Sequence, residues 1–149
     1  MVKRIPEGYR SITPYLIVEG AVKEIQFLRQ AFGAAEKFPP LKRQDDTIMH
    51  AEMRIGDSVV MLAEASEQYR AMTSCLYLYV EDVDATYRRA LQAGATSVTE
   101  PKDQFYGDRS AGVKDSAGNF WWIATHKEDV PEAEMEKRFR AAASQPSTA

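Results

Sequence analysis

The chain has 149 residues, 44% of them hydrophobic and 28% charged, with 22 acidic against 19 basic side chains and a formal net charge of −3. These values suit a single globular domain that buries roughly 68–70% of its unfolded surface, and they exclude disordered, collagen-like and disulfide-dense classes. Charges of both signs scattered along the chain exclude an electrostatic footprint for nucleic acid, and no apolar run reaches the ~20 residues of a membrane helix.

The first ten residues, MVKRIPEGYR, carry charges without the apolar stretch of a secretory signal, so a cytoplasmic protein is expected. A β-branched and aromatic run over 13–18 predicts a strand. Val22, Ile25, Leu28 and Phe32, spaced by three and four, then predict an amphipathic helix stopped by Gly33. Strands follow over roughly 35–40, 47–55 and 58–64, the last two joined by a Gly56-Asp57 turn. The same order then recurs. A strand over 75–80 precedes a helix with Val83, Tyr87, Ala90 and Leu91 on its apolar stripe and Gly94 at its end. Strands over 96–100, 108–114 and 119–125 come next, with Asp115 to Asn119 as the last turn. Residues 131–143 open on Pro131 and Glu132 and repeat Met135 and Phe139 at i, i+4, which predicts a short helix docked on the body or a partner. Residues 144–149 are expected to be disordered.

The recurrence holds residue by residue. PYLIVEGAVKEIQFLRQAFGA at 14–34 matches LYLYVEDVDATYRRALQAGA at 76–95, so Tyr15 pairs with Tyr77, Leu16 with Leu78, Val18 with Val80 and Gly33 with Gly94. Further on, Gly56 pairs with Gly118. The reading is one α+β domain made of two βαβββ modules, residues 11–64 and 74–126. One sheet with one helix leaves its other face bare, so the modules must combine to protect it.

Strand alternation sorts the side chains. Met49, Ala51, Met53 and Ile55 are expected under the helix, which leaves Ile48, His50, Glu52 and Arg54 on the open face. Leu16, Val18, Leu76, Leu78 and Val80 go under the helices, leaving Thr13, Tyr15, Ile17, Cys75, Tyr77 and Tyr79 open. Position matching puts Trp122 on the open face and Trp121 toward the helix. Tyr15, Tyr77, Tyr79, Phe120 and Trp122 together make an aromatic wall suited to a small, partly apolar ligand.

His50 and Glu52, two apart on one strand, form a candidate acid–base pair. They are equally half of a metal site to which Glu64 could add an oxygen, or a solvated strand edge. In the run Tyr106-Gly107-Asp108-Arg109, Gly107 permits a close or unusual turn, and Asp108 beside Arg109 offers an ion pair or an anion fork. Arg109 then either binds ligand or ties the loop to the strand. His126 reads as a surface residue. Cys75, the single cysteine, sits in the apolar run CLYLYV and reads as packing rather than as a reactive thiolate.

Three segments in order over residues 11 to 130 carry a family likeness: TPYLIVEGAVKEIQFLRQAFGA, IMHAEMRIGDSVVMLAE and YGDRSAGVKDSAGNFWWIATHKEDV. The pattern resembles the vicinal-oxygen-chelate (glyoxalase, bleomycin-resistance and extradiol dioxygenase) superfamily, PhnB-like branch. The resemblance implies sheets curled into cups, paired within a chain or across a homodimer. It also implies, for the metal enzymes, a divalent ion held by two His and two Glu from four strands. Carried over by position, those places fall on Thr13, Met61, Cys75 and Trp122, which make no plausible ligand set. No metal and no cofactor are therefore expected. The resemblance then implies a metal-independent small-molecule binding protein, with its ligand against Tyr15, Met61, Tyr77, Tyr79, Arg109 and Trp122. The alternative is a glyoxalase-like lyase, isomerase or dioxygenase using His50 and Glu52 as catalytic groups, with or without a divalent metal.

Overall fold

Two helices, each lying on a sheet of its own, form the centre of the computed structural model, which describes residues 1–145. The first module runs β1 (Tyr15–Val18), α1 (Ala21–Phe32), β2 (Ala35–Glu36), β3 (Leu41–Lys42), β4 (Ile48–Ile55) and β5 (Ser58–Glu64). The second runs β6 (Cys75–Tyr79), α2 (Val83–Gln92), β7 (Thr96–Asp103), β8 (Asp108–Lys114) and β9 (Phe120–His126), and α3 (Glu132–Ala143) follows. The sheets are ordered β1-β5-β4-β2, with β3 also on β4, and β6-β9-β8-β7. Both are mixed, because β1 on β5 and β6 on β9 are parallel while the remaining pairs are antiparallel. This is the α+β architecture of two related modules read from the sequence. Of the tail expected to be disordered, residues 146–149 lie outside the described residues.

Three local readings change. Of the strand expected over 35–40 only Ala35–Glu36 (β2) forms, and a second short strand, β3, follows beyond it at Leu41–Lys42, both pairing with β4. Pro39 and Pro40 between them have no N–H to give to the ladder. Across the β3–β4 pairing, β4 advances from His50 to Ile48 while β3 advances one residue, so Met49 is a bulge. Alternation reverses there: Ile48 joins the core, and Met49, 48% exposed, turns out beside His50. In α1 the buried face is Ala21, Glu24, Ile25, Leu28 and Ala31, and Val22, 56% exposed, falls outside it. The α2 stripe of Val83, Tyr87 and Ala90 is buried as its spacing predicts.

The starts of α1 and α2 are satisfied by different devices. Asp82 caps α2, its carboxylate accepting from the Ala85 N–H at 3.0 Å. Gly20 precedes α1 at φ 87, and Glu64 at the end of β5 accepts the N–H groups of Gly20 (3.0 Å) and Ala21 (2.6 Å). Glu64 therefore neutralises the positive end of α1 and is committed there.

One core spans both modules, with Leu16, Leu28, Met53 and Leu62 from the first and Val113, Trp121 and Ile123 from the second. Burial of each such side chain is worth about 1.5–3 kcal/mol. The modules join where α1 packs on α2 and the Phe32 ring meets that of Trp121, centroids 4.9 Å apart. Glu24, 1% exposed, faces the Asp115–Asn119 turn of the other module from α1. Burial first, and then the nearby Asp115 carboxylate, push its carboxyl up to about 9, and neither Glu24 oxygen has a hydrogen-bond partner among the described residues. At neutral pH Glu24 is therefore a neutral acid facing Asp115, whose carboxylate accepts from Ala117 N, Asn119 N and Trp121 Nε1. The last helix, α3, buries no residue and is tied on by Phe139 against Phe105 and by Arg138 to the Phe105 carbonyl. Among the described residues no helix is long and apolar enough to cross a membrane.

Candidate functional site

The open face of the first sheet is built by register. Tyr15 on β1 lies across from Met61 on β5, and Met61 lies across from Glu52 on β4, so the three share one row and one face. His50, two residues from Glu52, stands on the same face. The Tyr15 hydroxyl lies 2.9 Å from His50 Nδ1, and His50 Nε2 lies 2.7 Å from Glu52 Oε2. The second Glu52 oxygen accepts from the Tyr9 hydroxyl, and the Lys37 ammonium sits 3.5 Å over the Tyr9 ring. Phe38 stacks on His50 at an interplanar angle of 23°.

This chain of contacts assigns its own protons. Burial alone would raise the Glu52 carboxyl, but hydrogen bonds from Tyr9 and His50 and the charges of His50 and Lys37 outweigh it and hold it below the usual carboxylate range. An ionised Glu52 accepts from Nε2–H, which leaves Nδ1 to accept from Tyr15. Burial, then the Glu52 charge, raise the Tyr15 phenol, so it remains a proton donor at neutral pH. The arrangement can take a proton from a bound molecule: the Tyr15 oxygen accepts it as the Tyr15 proton passes to His50 Nδ1, and ionised Glu52 steadies the resulting imidazolium. A cavity of about 540 Å³ opens over it, walled by Ile17, Met49, Ala63 and Tyr69.

The second sheet carries a separate cluster. Tyr77 lies across from Trp122, and Trp122 from Gly112, the counterpart of the Tyr15–Met61–Glu52 row. Gly112 matters because a β-carbon there would come within 3.2 Å of the rings of both Phe120 and Trp122, which pack together over it. Tyr77 and Tyr79 donate to Asp108 Oδ2 at 2.8 and 2.9 Å, and His126 Nδ1 lies 2.8 Å from Asp108 Oδ1. His126 Nε2 reaches Asp129 at 2.8 Å. Burial pushes the Asp108 carboxyl up, but His126 and the two phenols overcome it and hold it low. His126 is raised by its hydrogen bonds to Asp108 and Asp129. The Tyr77 phenol is raised, first by burial and then by Tyr106 and Asp108.

The structure thus divides the expected site residues. It brings Tyr15, Met61, His50 and Glu52 together on one sheet and Tyr77, Tyr79 and Trp122 together on the other. Arg109 belongs to neither group: its guanidinium points to the helix side, donating to Asp84 at 2.8 and 3.0 Å and to Asp103 at 3.2 Å. It locks β8 to the first turn of α2. Neighbours on a strand face opposite ways, so Asp108 and Arg109 cannot pair with each other. His126 is at the surface as expected, its side chain 50% exposed, and it is also the partner of buried Asp108. Cys75 is exposed at the start of β6 rather than packed. Trp121, 1% exposed, is core and Trp122 is on the open face, as position matching requires. The sequence reading missed Tyr9, Lys37 and Arg43, which come from segments with no periodic signal.

A larger cleft, about 970 Å³, lies elsewhere, between the β4–β5 turn and the edge of β6. It touches Tyr77 and Tyr79 but none of Tyr15, His50 or Glu52, so its size does not mark it as the site of the chemistry.

A family model for the Glyoxalase/Bleomycin resistance protein/Dioxygenase superfamily matches residues 12–123, which is most of the chain. The chain belongs to that superfamily. An uncharacterized protein of Mycobacterium bovis is 35% identical to this superfamily member over 146 residues, covering 91% of this chain and 93% of its own. An uncharacterized protein of Mycobacterium tuberculosis is 35% identical, over 91% of this chain and 84% of its own. Among solved structures, TioX from Micromonospora sp. ML1 is similar with a TM-score of 0.67 at 24% identity, over 78% of this chain and 98% of that one. The fosfomycin resistance protein FosX from Mesorhizobium loti is similar with a TM-score of 0.59 at 16% identity, over 79% and 92%. At those identities the likeness is one of fold.

The metal that the family implies does not fit the residues present. Thr13, Met61, Cys75 and Trp122 occupy the ligand positions carried over from the family, and three of them have no donor suited to a divalent ion. The groups that could substitute are committed: Glu64 to the start of α1, Glu52 to Tyr9 and His50. Among the described residues no three His, Cys, Asp or Glu side chains converge as a ligand set.

Proposed function

We propose that this superfamily member, PhnB-like in its motif order, is a cytoplasmic homodimer. In this reading it binds a small, partly apolar molecule on its open sheet faces without a resident metal ion. The observation that carries the reading is the commitment of Glu52 and Glu64. Both carboxylates are already engaged by protein hydrogen bonds, while the rings of Tyr15, Tyr77 and Trp122 remain open to a ligand. A second chain is favoured because aromatic surface such as Tyr79, 60% exposed, is left uncovered by a single one.

The test is elemental analysis of the purified protein, together with a Trp122 fluorescence screen and gel filtration. The expected results are substoichiometric metal, a saturable response to planar amphipathic compounds and a dimer mass. Stoichiometric metal that is lost on His50→Ala would sink the metal-free reading.

The hydrogen-bonded chain Tyr15–His50–Glu52 favours a second reading, an acid–base enzyme of lyase, isomerase or dioxygenase type. Turnover abolished by His50→Ala with ligand affinity retained would favour it over simple binding.

A further inference from the structure

We propose that the cavity over Tyr15 and His50 takes a small amphipathic carboxylate, with Arg43 receiving its carboxyl group. The inference rests on the reading of this face as a small-molecule site and names the class of molecule. Arg43 stands at the mouth of the cavity, at the start of the turn between β3 and β4. That turn is rigid. The Thr47 carbonyl accepts from Arg43 N–H at 2.8 Å, and the Arg43 carbonyl from Asp46 N–H at 3.0 Å, with Asp46 at φ 68.

The guanidinium is positioned but not neutralised. It donates to Thr47 Oγ1 at 3.2 Å and to the Glu64 carbonyl at 3.1 Å, both uncharged acceptors, which leaves three of its five N–H donors free. The acidic side chains nearby engage other partners. Hydrogen bonds from Thr47 hold the Asp45 carboxyl low, and the Arg43 charge adds only a minor contribution. Asp45 accepts from Thr47 N and Oγ1 at 3.1 and 2.6 Å, Asp46 pairs with Lys42 at 3.3 Å, and Glu64 holds the start of α1. Among the described residues Arg43 is in no ion pair.

An unpaired planar fork beside apolar walls is matched by a carboxylate on an apolar body. The carboxylate takes two parallel hydrogen bonds, and Ile17, Met49, Ala63 and the Tyr69 ring cover the rest. An uncharged isostere gains the apolar contacts but not the fork. A cation would meet Arg43 with the wrong sign.

The experiment compares phenylacetate, phenylacetamide and phenethylamine as probes, read by the NMR shift of the His50 ring and by calorimetry. Phenylacetate is expected to give a saturable shift with affinity at least about tenfold above the amide, the order of one charge-assisted pair. The amine is expected to give none. Arg43→Gln should bring the carboxylate down to the amide's affinity and leave the amide unchanged. Arg43→Lys, which keeps the charge and is less disruptive to the turn, should fall between. Equal binding of amide and carboxylate, or a ratio unmoved in both variants, overturns the carboxylate assignment while the small-molecule reading stands. If none of the three probes shifts His50, both readings of this cavity fall.

Discussion

Phe32 at the end of α1 and Trp121 on β9 meet ring to ring across the boundary between the modules, 4.9 Å between centroids and tilted by 53°. Trp121 also donates from Nε1 to Asp115 at 2.9 Å, so one side chain supplies both apolar area and a buried hydrogen bond at the joint. Trp121→Ala is expected to cost about 3–5 kcal/mol, lowering the urea midpoint with the slope unchanged. Trp121→Phe should cost less, on the order of 1–3 kcal/mol from the lost donor. A wild-type midpoint in Trp121→Ala would contradict a shared core.

Glu24 makes stability fall as pH rises. Its carboxyl is raised from an ordinary 4.5 to about 9, so between those values the folded chain holds a proton that the unfolded chain has released. The stabilisation is complete below about 4.5 and is lost as pH climbs toward 9. Glu24→Gln keeps a donor facing Asp115 without the titration. It should flatten the pH dependence, so that between pH 5 and pH 8 its stability relative to wild type gains on the order of 4 kcal/mol, about 1.4 per pH unit. Parallel denaturation curves at pH 5 and pH 8 check this, and equal pH slopes in the two proteins would refute it.

Asp108 and His126 titrate in opposite senses. Asp108 is held low, so its contribution is present above its unfolded value and lost as pH falls through the folded one. His126 is raised from 6.5, so its contribution is present below 6.5 and lost as pH rises through its folded value. The pair is therefore strongest at mildly acidic pH. An NMR titration should place the His126 midpoint above 6.5, and Asp108→Asn should bring it back toward 6.5. A midpoint unmoved by that substitution would place the cause elsewhere.

Gly107 and Gly94 offer a matched comparison. Both have positive φ, 99 and 105, but a β-carbon on Gly107 would drive into the Glu128 carbonyl oxygen, while one on Gly94 meets open space. Gly94→Ala should cost about 1–2 kcal/mol for backbone strain alone. Gly107→Ala should cost about 2–4 kcal/mol, strain plus clash. Calorimetric melting of the two variants decides it, and equal losses would remove the close approach from the account.

The readings from sequence that held are those that depend on a residue's own surroundings. Val83, Tyr87 and Ala90 are buried at helical spacing, Trp121 and Trp122 separate by alternation, and His50 and Glu52 share a face because they are two apart. Those that failed needed a neighbouring strand. Ile48 and Met49 exchanged places because β3 pairs with a bulge in β4, whereas Arg109 lies on the helix side by alternation from Asp108, and Asp84 on α2 holds it there.

The repeat, the two modules and their family were determined by the sequence alone, because hydrophobic period and turn chemistry are written locally and recur. Only the tertiary structure decided the proton chain of the site. Tyr9 reaches Glu52 across 43 positions and Tyr15 reaches His50 across 35, and no local pattern encodes which distant groups a folded chain brings within hydrogen-bonding distance.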